Sequence, residues 1–203
     1  MINEYYIIIR TKEELSKHSY IKEVVTDFIH GLGLSNVKII SNYGGYYVFF
    51  YKSNISIEDE VRELYISLKS DISSEFIMLY LDNYNLNDGL IFLRNNAFLS
   101  VHGFITNKDI LRFYCLSGNR VDKQLIRQIL GKYYNNREML LTIKIFIEDD
   151  LNVSEAARTL YLHRNSLIQR LDKFHLETKF DVKKFKEAFI IYCLICEVLD
   201  IRM

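Results

Sequence analysis

The 203-residue chain contains no proline, against a usual share of about 5%. It therefore holds no polyproline spacer, and any junction between domains has to be argued from other signals. Its three cysteines, Cys115, Cys193 and Cys196, form an odd set in a chain well above the size that needs disulfide staples. That usage points to a reducing compartment, with the cytoplasm as the expected location. Charge of one sign is missing too: 26 Lys and Arg balance 26 Asp and Glu, so no global field draws the chain to nucleic acid or to an anionic membrane. Any nucleic-acid site has to be local. Long hydrophobic runs are also absent. Residues 1–10 carry no basic n-region and too short an apolar run for a signal peptide. The most apolar late stretch, Phe185 to Leu199, is broken by Lys186, Glu187 and Glu197 and falls short of the roughly 20 apolar residues of a membrane span. Neither export nor a membrane partner is expected. What remains is an ordinary globular mix, 49% hydrophobic and 26% charged, which excludes disorder as the main state.

The first half alternates strand and helix signals. Tyr5 to Ile9 is a β-branched and aromatic run, followed by Thr11 with Glu14 three residues on, a capping-box spelling for a helix start. That helix is expected to turn Leu15, Val24, Val25, Phe28 and Leu32 inward and to end at Gly31 and Gly33. Asn36 to Ile40 and Tyr46 to Tyr51 are strand candidates around Gly44-Gly45, whose freedom at positive φ suits a hairpin turn. Ser56 can cap a second helix bearing Val61, Leu64, Tyr65 and Leu68, and Phe76 to Leu81 spells another strand. The order βαββαβ is the ferredoxin-like pattern.

From about Asn107 the strand signal gives way to helices over 109–116, 122–134 and 138–148. The expected fold is α+β: an α+β domain for sensing or dimerisation over 1–118, then an all-α domain over 119–203 with a helix-turn-helix at about 153–174. Within it, Ser154 is a suitable N-cap for a short helix. Ala156 and Ala157, two of only four alanines in the chain, suggest a place where another helix backbone comes close. Leu160 and Leu162 flank a sharp turn at Tyr161, and a second helix starting near His163 or Arg164 buries Leu167, Leu171 and Phe174.

The other face of that second helix holds Arg164, Asn165, Ser166, Gln169, Arg170 and Lys173. Arg reads guanine bidentately, Asn or Gln reads adenine, and Ser and Lys hold phosphates or base edges, so the set suits a major groove of double-stranded DNA. From Arg158 to Lys186 there are eight basic residues against three acidic ones. A local basic patch thus hides inside a neutral chain. His163 is open to two roles, a cap or turn residue and a phosphate contact.

The run from Asn152 to Leu167 resembles the C-terminal helix-turn-helix of the PucR/CdaR bacterial transcription regulators and is similar, more distantly, to the Fis-type module. The resemblance covers roughly residues 137 to 200. It implies a DNA-binding regulator, with His163 at the start of the recognition helix and Arg164, Asn165, Ser166 and Arg170 as DNA contacts. Tyr161 stands where Fis-type modules favour Gly, but an aromatic there suits the PucR/CdaR pattern. Ile168 and Gln169 replace the usual basic and aromatic pair, which removes a phosphate contact, and Lys179 replaces a helix-ending Gly, which places a side chain at positive φ. In such regulators a degenerate GGDEF-like domain often comes first, and Gly44 to Phe50 falls in a hairpin much as that signature does. Tyrosines stand where a cyclase would need metal-binding acids, so no cyclase activity is expected.

No catalytic constellation, metal site or cofactor motif is evident. Cys193-x-x-Cys196 lies inside an apolar helix without a second ligand pair, whereas structural zinc takes four ligands, and it reads as core packing. No P-loop or nucleophile-elbow spelling occurs. The expected function is a homodimeric transcription regulator with no enzymatic activity; any small-molecule effector is unspecified. Two competing readings stay open: an enzyme acting on nucleotides or small molecules through the first domain, and an interaction module whose helix-turn-helix serves packing alone.

Overall fold

The computed structural model describes residues 2–11, 20–34, 37–43, 46–71, 75–82, 85–95, 103–118 and 120–200. Glu14, Leu15, Asn36, Gly44 and Gly45, which the sequence reading used, lie outside them. The chain divides into two compact units, Met1–Ile110 and Leu111–Met203. The division falls within a helix, earlier than residue 118.

In the first unit, β1 (Asn3–Thr11) lies between β3 (Tyr46–Ser53) and β4 (Phe76–Asp82), antiparallel to both. β2 (Lys38–Tyr43) pairs with β3 on its outer side, and β5 (Gly103–Thr106) adds in parallel to β4, for the order β2-β3-β1-β4-β5. The first four strands thus form the ferredoxin-like arrangement, and β5 extends it. Alternation with period two explains the first face: Tyr5, Ile7 and Ile9 of β1, Phe49 and Tyr51 of β3, and Met78 and Tyr80 of β4 belong to one core. α1 (Tyr20–Gly31) and α2 (Glu58–Asp71) contribute Ile21, Val25, Ile29, Val61, Leu64, Tyr65 and Leu68 to it.

Thr11 is the last residue of β1, buried and paired with Phe76, and residues 12–19, where its capping box would start a helix, lie outside the described residues. One expectation is corrected here. The inward stripe of α1 is Ile21, Val25 and Ile29, spaced four apart, while Val24 and Leu32 are exposed and Phe28 is only partly buried. The α2 expectation holds in full, with Val61, Leu64, Tyr65 and Leu68 buried and the Ser56 hydroxyl accepting from the Glu58 N–H at 3.4 Å.

β4 is buried on both faces, which accounts for its unbroken apolar run. α3 (Leu86–Asn95) approaches the second face so closely that a Cβ on Gly89 would stand 2.7 Å from Leu81 Cδ1 and 3.3 Å from Leu79 Cδ2. α3 is the crossover that a parallel β4–β5 pair requires; neither it nor β5 was expected. The hairpin strand that resembles a GGDEF signature begins with Tyr46, whose buried ring carries the Arg10 guanidinium 5.3 Å from its centroid.

α4 (Asn107–Leu116) spans the division between the units. The second unit continues with α5 (Lys123–Leu130), a single 3-10 turn (Gly131–Tyr133), α6 (Arg137–Glu148), α7 (Val153–Thr159), α8 (Arg164–Thr178) and α9 (Phe185–Val198). Asp122 and Asn136 cap α5 and α6 through their side-chain oxygens. Leu140, Ile143 and Phe146 of α6, Ala156 and Ala157 of α7, Leu167, Leu171 and Phe174 of α8, and Ile191, Leu194 and Ile195 of α9 share one core. Among the described residues no helix is long and apolar enough to cross a membrane.

Candidate nucleic-acid interface

α7 starts under a cap, but the residue is Asn152 rather than Ser154: the Asn152 Oδ1 accepts from the N–H groups of Ser154 at 3.0 Å and Glu155 at 3.3 Å. Asn152 with Glu155 three residues on is itself a capping-box spacing, a signal that was open to sequence reading. The two alanines do what their size allows. Ala156 and Ala157 are buried where α7 packs on its neighbours in the shared core.

α7 ends in a Schellman turn. The Leu162 N–H donates to the Ala157 carbonyl at 2.8 Å and the Tyr161 N–H to the Arg158 carbonyl at 3.1 Å. The geometry requires a left-handed residue at the point between, and Tyr161 occupies it at φ +54; for a residue with a Cβ this costs on the order of 1 kcal/mol. α8 follows at once. Its N-cap is His163, whose Nδ1 accepts from the Asn165 N–H at 3.2 Å, so the ring performs the capping role. At the far end Lys179 stands at φ +63 with its N–H on the His175 carbonyl at 2.8 Å, the positive φ that its replacement of Gly implied.

Leu167, Leu171 and Phe174, all buried, turn α8 so that its opposite side faces outward. Arg164, Asn165, Ser166, Gln169 and Lys173 are exposed there. Among the described residues, none of these five side chains takes an intramolecular hydrogen bond or ion pair. Asn165, Gln169 and Lys173, at successive fourth positions, mark a stripe about 12 Å long at 1.5 Å per residue, comparable with the roughly 12 Å width of a B-DNA major groove.

Arg170 is placed differently. Its Nη1 donates to Glu138 Oε1 at 2.7 Å and lies 3.5 Å from the Thr142 hydroxyl, which ties α8 to α6. Nothing local in the sequence signals that pairing, because the partners lie 32 positions apart. The three acids in the basic stretch are also taken up: Asp172 by Lys183 at 2.6 Å, Asp181 by Lys184 at 3.9 Å, and Glu177 by Lys132. They are not left to offset Arg164 and Lys173.

Cys193 and Cys196 are buried in α9, and Cys115 on α4 is half-buried; all three are free thiols. The neighbouring Cys115 thiol holds the Cys193 thiol below its ordinary range, while Cys193 and burial push Cys115 up. Among the described residues no group of three or more His, Cys, Asp or Glu side chains could hold a metal ion.

Residues 139–195 match the PucR C-terminal helix-turn-helix domain. Over 55 residues the chain is 48% identical to the uncharacterized protein YxkF of Bacillus subtilis, which amounts to 27% of this chain and 18% of that one. Over 81 residues it is 27% identical to the purine catabolism regulatory protein of the same organism, or 39% of this chain and 15% of the relative. The chain thus spans less than a fifth of the length of these relatives. In fold it is similar to the crystal structure of a regulator of polyketide synthase expression from Bifidobacterium adolescentis, with a TM-score of 0.54 at 15% identity over 98% of this chain and 82% of that one. The PucR-type match covers α6 (from Met139), α7, α8 and most of α9.

Proposed function

We propose that this protein is a cytoplasmic, non-enzymatic transcription regulator that binds double-stranded DNA by laying the first turns of α8 in the major groove. The observation that carries this reading is the unpartnered polar face of α8: Arg164, Asn165, Ser166, Gln169 and Lys173 are exposed and unpaired among the described residues, on a helix whose opposite side is anchored by Leu167, Leu171 and Phe174. A fold that required these side chains for packing or pairing would engage them. Arg164 suits guanine, Asn165 and Gln169 suit adenine, and Ser166 and Lys173 suit phosphates or base edges. His163 serves as the cap that sets the entry of the helix, and Arg170 contacts DNA to the extent that Glu138 releases it.

One such helix reads only a few base pairs. A homodimer on a two-fold site, with half-sites about one helical turn or a multiple apart, supplies the rest, and the first unit serves sensing or dimerisation. Selection of bound sequences from randomised duplex DNA, followed by fluorescence anisotropy on the winner, tests the proposal. The expected result is a two-fold consensus bound with steep salt dependence. The absence of any enriched sequence and of binding at low salt would refute it.

A further inference from the structure

Tyr161 is 97% exposed, and among the described residues its side chain makes no hydrogen bond, ring contact or cation contact. It also occupies the one position of the Schellman turn, at φ +54, where the backbone favours glycine. The fold gains neither burial nor pairing from this side chain and holds it at a strained backbone conformation. The turn itself is firm, because the Tyr161 and Leu162 N–H groups are both bonded back to α7. The ring therefore projects from a defined point two residues ahead of the His163 cap and three ahead of Arg164. Its sequence neighbour Arg164 is exposed and supplies positive charge, while the exposed Arg158 is paired with Glu155 at 2.9 Å. Tyrosine presents a large rigid surface with a single polar tip, at low cost in side-chain entropy.

We propose that Tyr161 is a DNA-backbone contact, its phenol hydroxyl donating to a phosphate oxygen and its ring lying against the adjacent deoxyribose at the edge of the groove that α8 enters. This rests on the DNA-binding reading above and adds to it a residue outside the recognition helix. A contact of this kind positions the helix without reading sequence, and a neutral phenol releases no counterion, so it leaves the salt slope alone.

The test uses the full chain, the selected duplex and a scrambled duplex, with Tyr161→Phe, Tyr161→Gly and Arg164→Ala compared by anisotropy and thermal melting. Tyr161→Phe is expected to weaken binding to both duplexes about threefold, as loss of one hydrogen bond would, and Tyr161→Gly about tenfold, with unchanged salt slope. The Tyr161→Gly melting temperature is expected to stay level or rise, because glycine relieves the backbone. Arg164→Ala, by contrast, loses preference for the selected duplex. Unaltered affinity in both tyrosine variants overturns the inference while the regulator reading stands. A loss confined to the selected duplex overturns it in favour of base reading, and a change of oligomeric state in Tyr161→Gly by light scattering overturns it in favour of a protein partner. If the unaltered chain binds neither duplex, the regulator reading and this inference fall together.

Discussion

The first turn of α8 carries Arg164, Asn165 and Ser166 with no partner among the described residues, whereas farther along the same helix Arg170, Asp172 and Glu177 are each paired, to Glu138, Lys183 and Lys132 respectively. These partners come from α6, the segment before α9 and the 3-10 turn, so the later turns are braced against three parts of the unit. The N-terminal turn, which in helix-turn-helix proteins meets the bases, is left unoccupied. The polar groups of the first turn and these three later ones thus differ in whether the fold uses up their hydrogen-bonding capacity. The capacity that is spare is the part available to a ligand.

The largest expected effect comes from removing what both ends share. Phe174→Ala, at a site with no exposure, is expected to cost about 3–5 kcal/mol and to abolish binding through unfolding, as read by denaturant titration. Next, Arg164→Ala and Asn165→Ala are each expected to cost about 1–3 kcal/mol of discrimination on the selected duplex while shifting stability by less than about 0.5 kcal/mol. Comparable losses of stability would erase the distinction between the two ends. Smaller still, Glu138→Ala is expected to lower stability by less than about 1 kcal/mol, since the side chains of the pair are 35% and 75% exposed and solvent screens them. Its effect on sequence preference should be well below that of Arg164→Ala.

The smallest effect concerns the contact between α6 and α9. The Lys144 ammonium, 2.5 Å away, holds the Glu148 carboxyl below its usual range, with the Tyr192 hydroxyl adding a bond at 2.9 Å. A depressed folded-state value means that this contribution is present above the unfolded carboxylate range and is lost as pH falls through the folded value. Tyr192→Phe is therefore expected to raise the Glu148 titration slightly toward the ordinary range, measurable by NMR, with almost no change at neutral pH.

Much of the fold was legible because its signals are local. The α2 stripe, the Leu167, Leu171 and Phe174 face and the βαββαβ order rest on spacings within a dozen residues, and the structure carries them. α3 and β5 escaped because β4 is buried on both faces and its partner is reached by a crossover, which leaves no alternation to read. Thr11 closes β1, and the helix start that its spacing to Glu14 spells falls outside the described residues. Asn152 was readable from its spacing to Glu155 but Ser154 competed for the role. The Cys193-x-x-Cys196 spelling pointed along one helix, yet the neighbour that most affects the Cys193 thiol is Cys115, which is far away in sequence.

The sequence by itself determined most of the helical and extended segments and which types of side chain line the outward face of α8, because propensity, capping and periodicity act over a few residues. Only the tertiary structure decided that Arg170 is occupied while Arg164 is spare, and that Tyr161 is held outward at a glycine position. Whether a charged or aromatic group is satisfied depends on partners tens of residues distant or on the turn that orients it, and no local pattern encodes those.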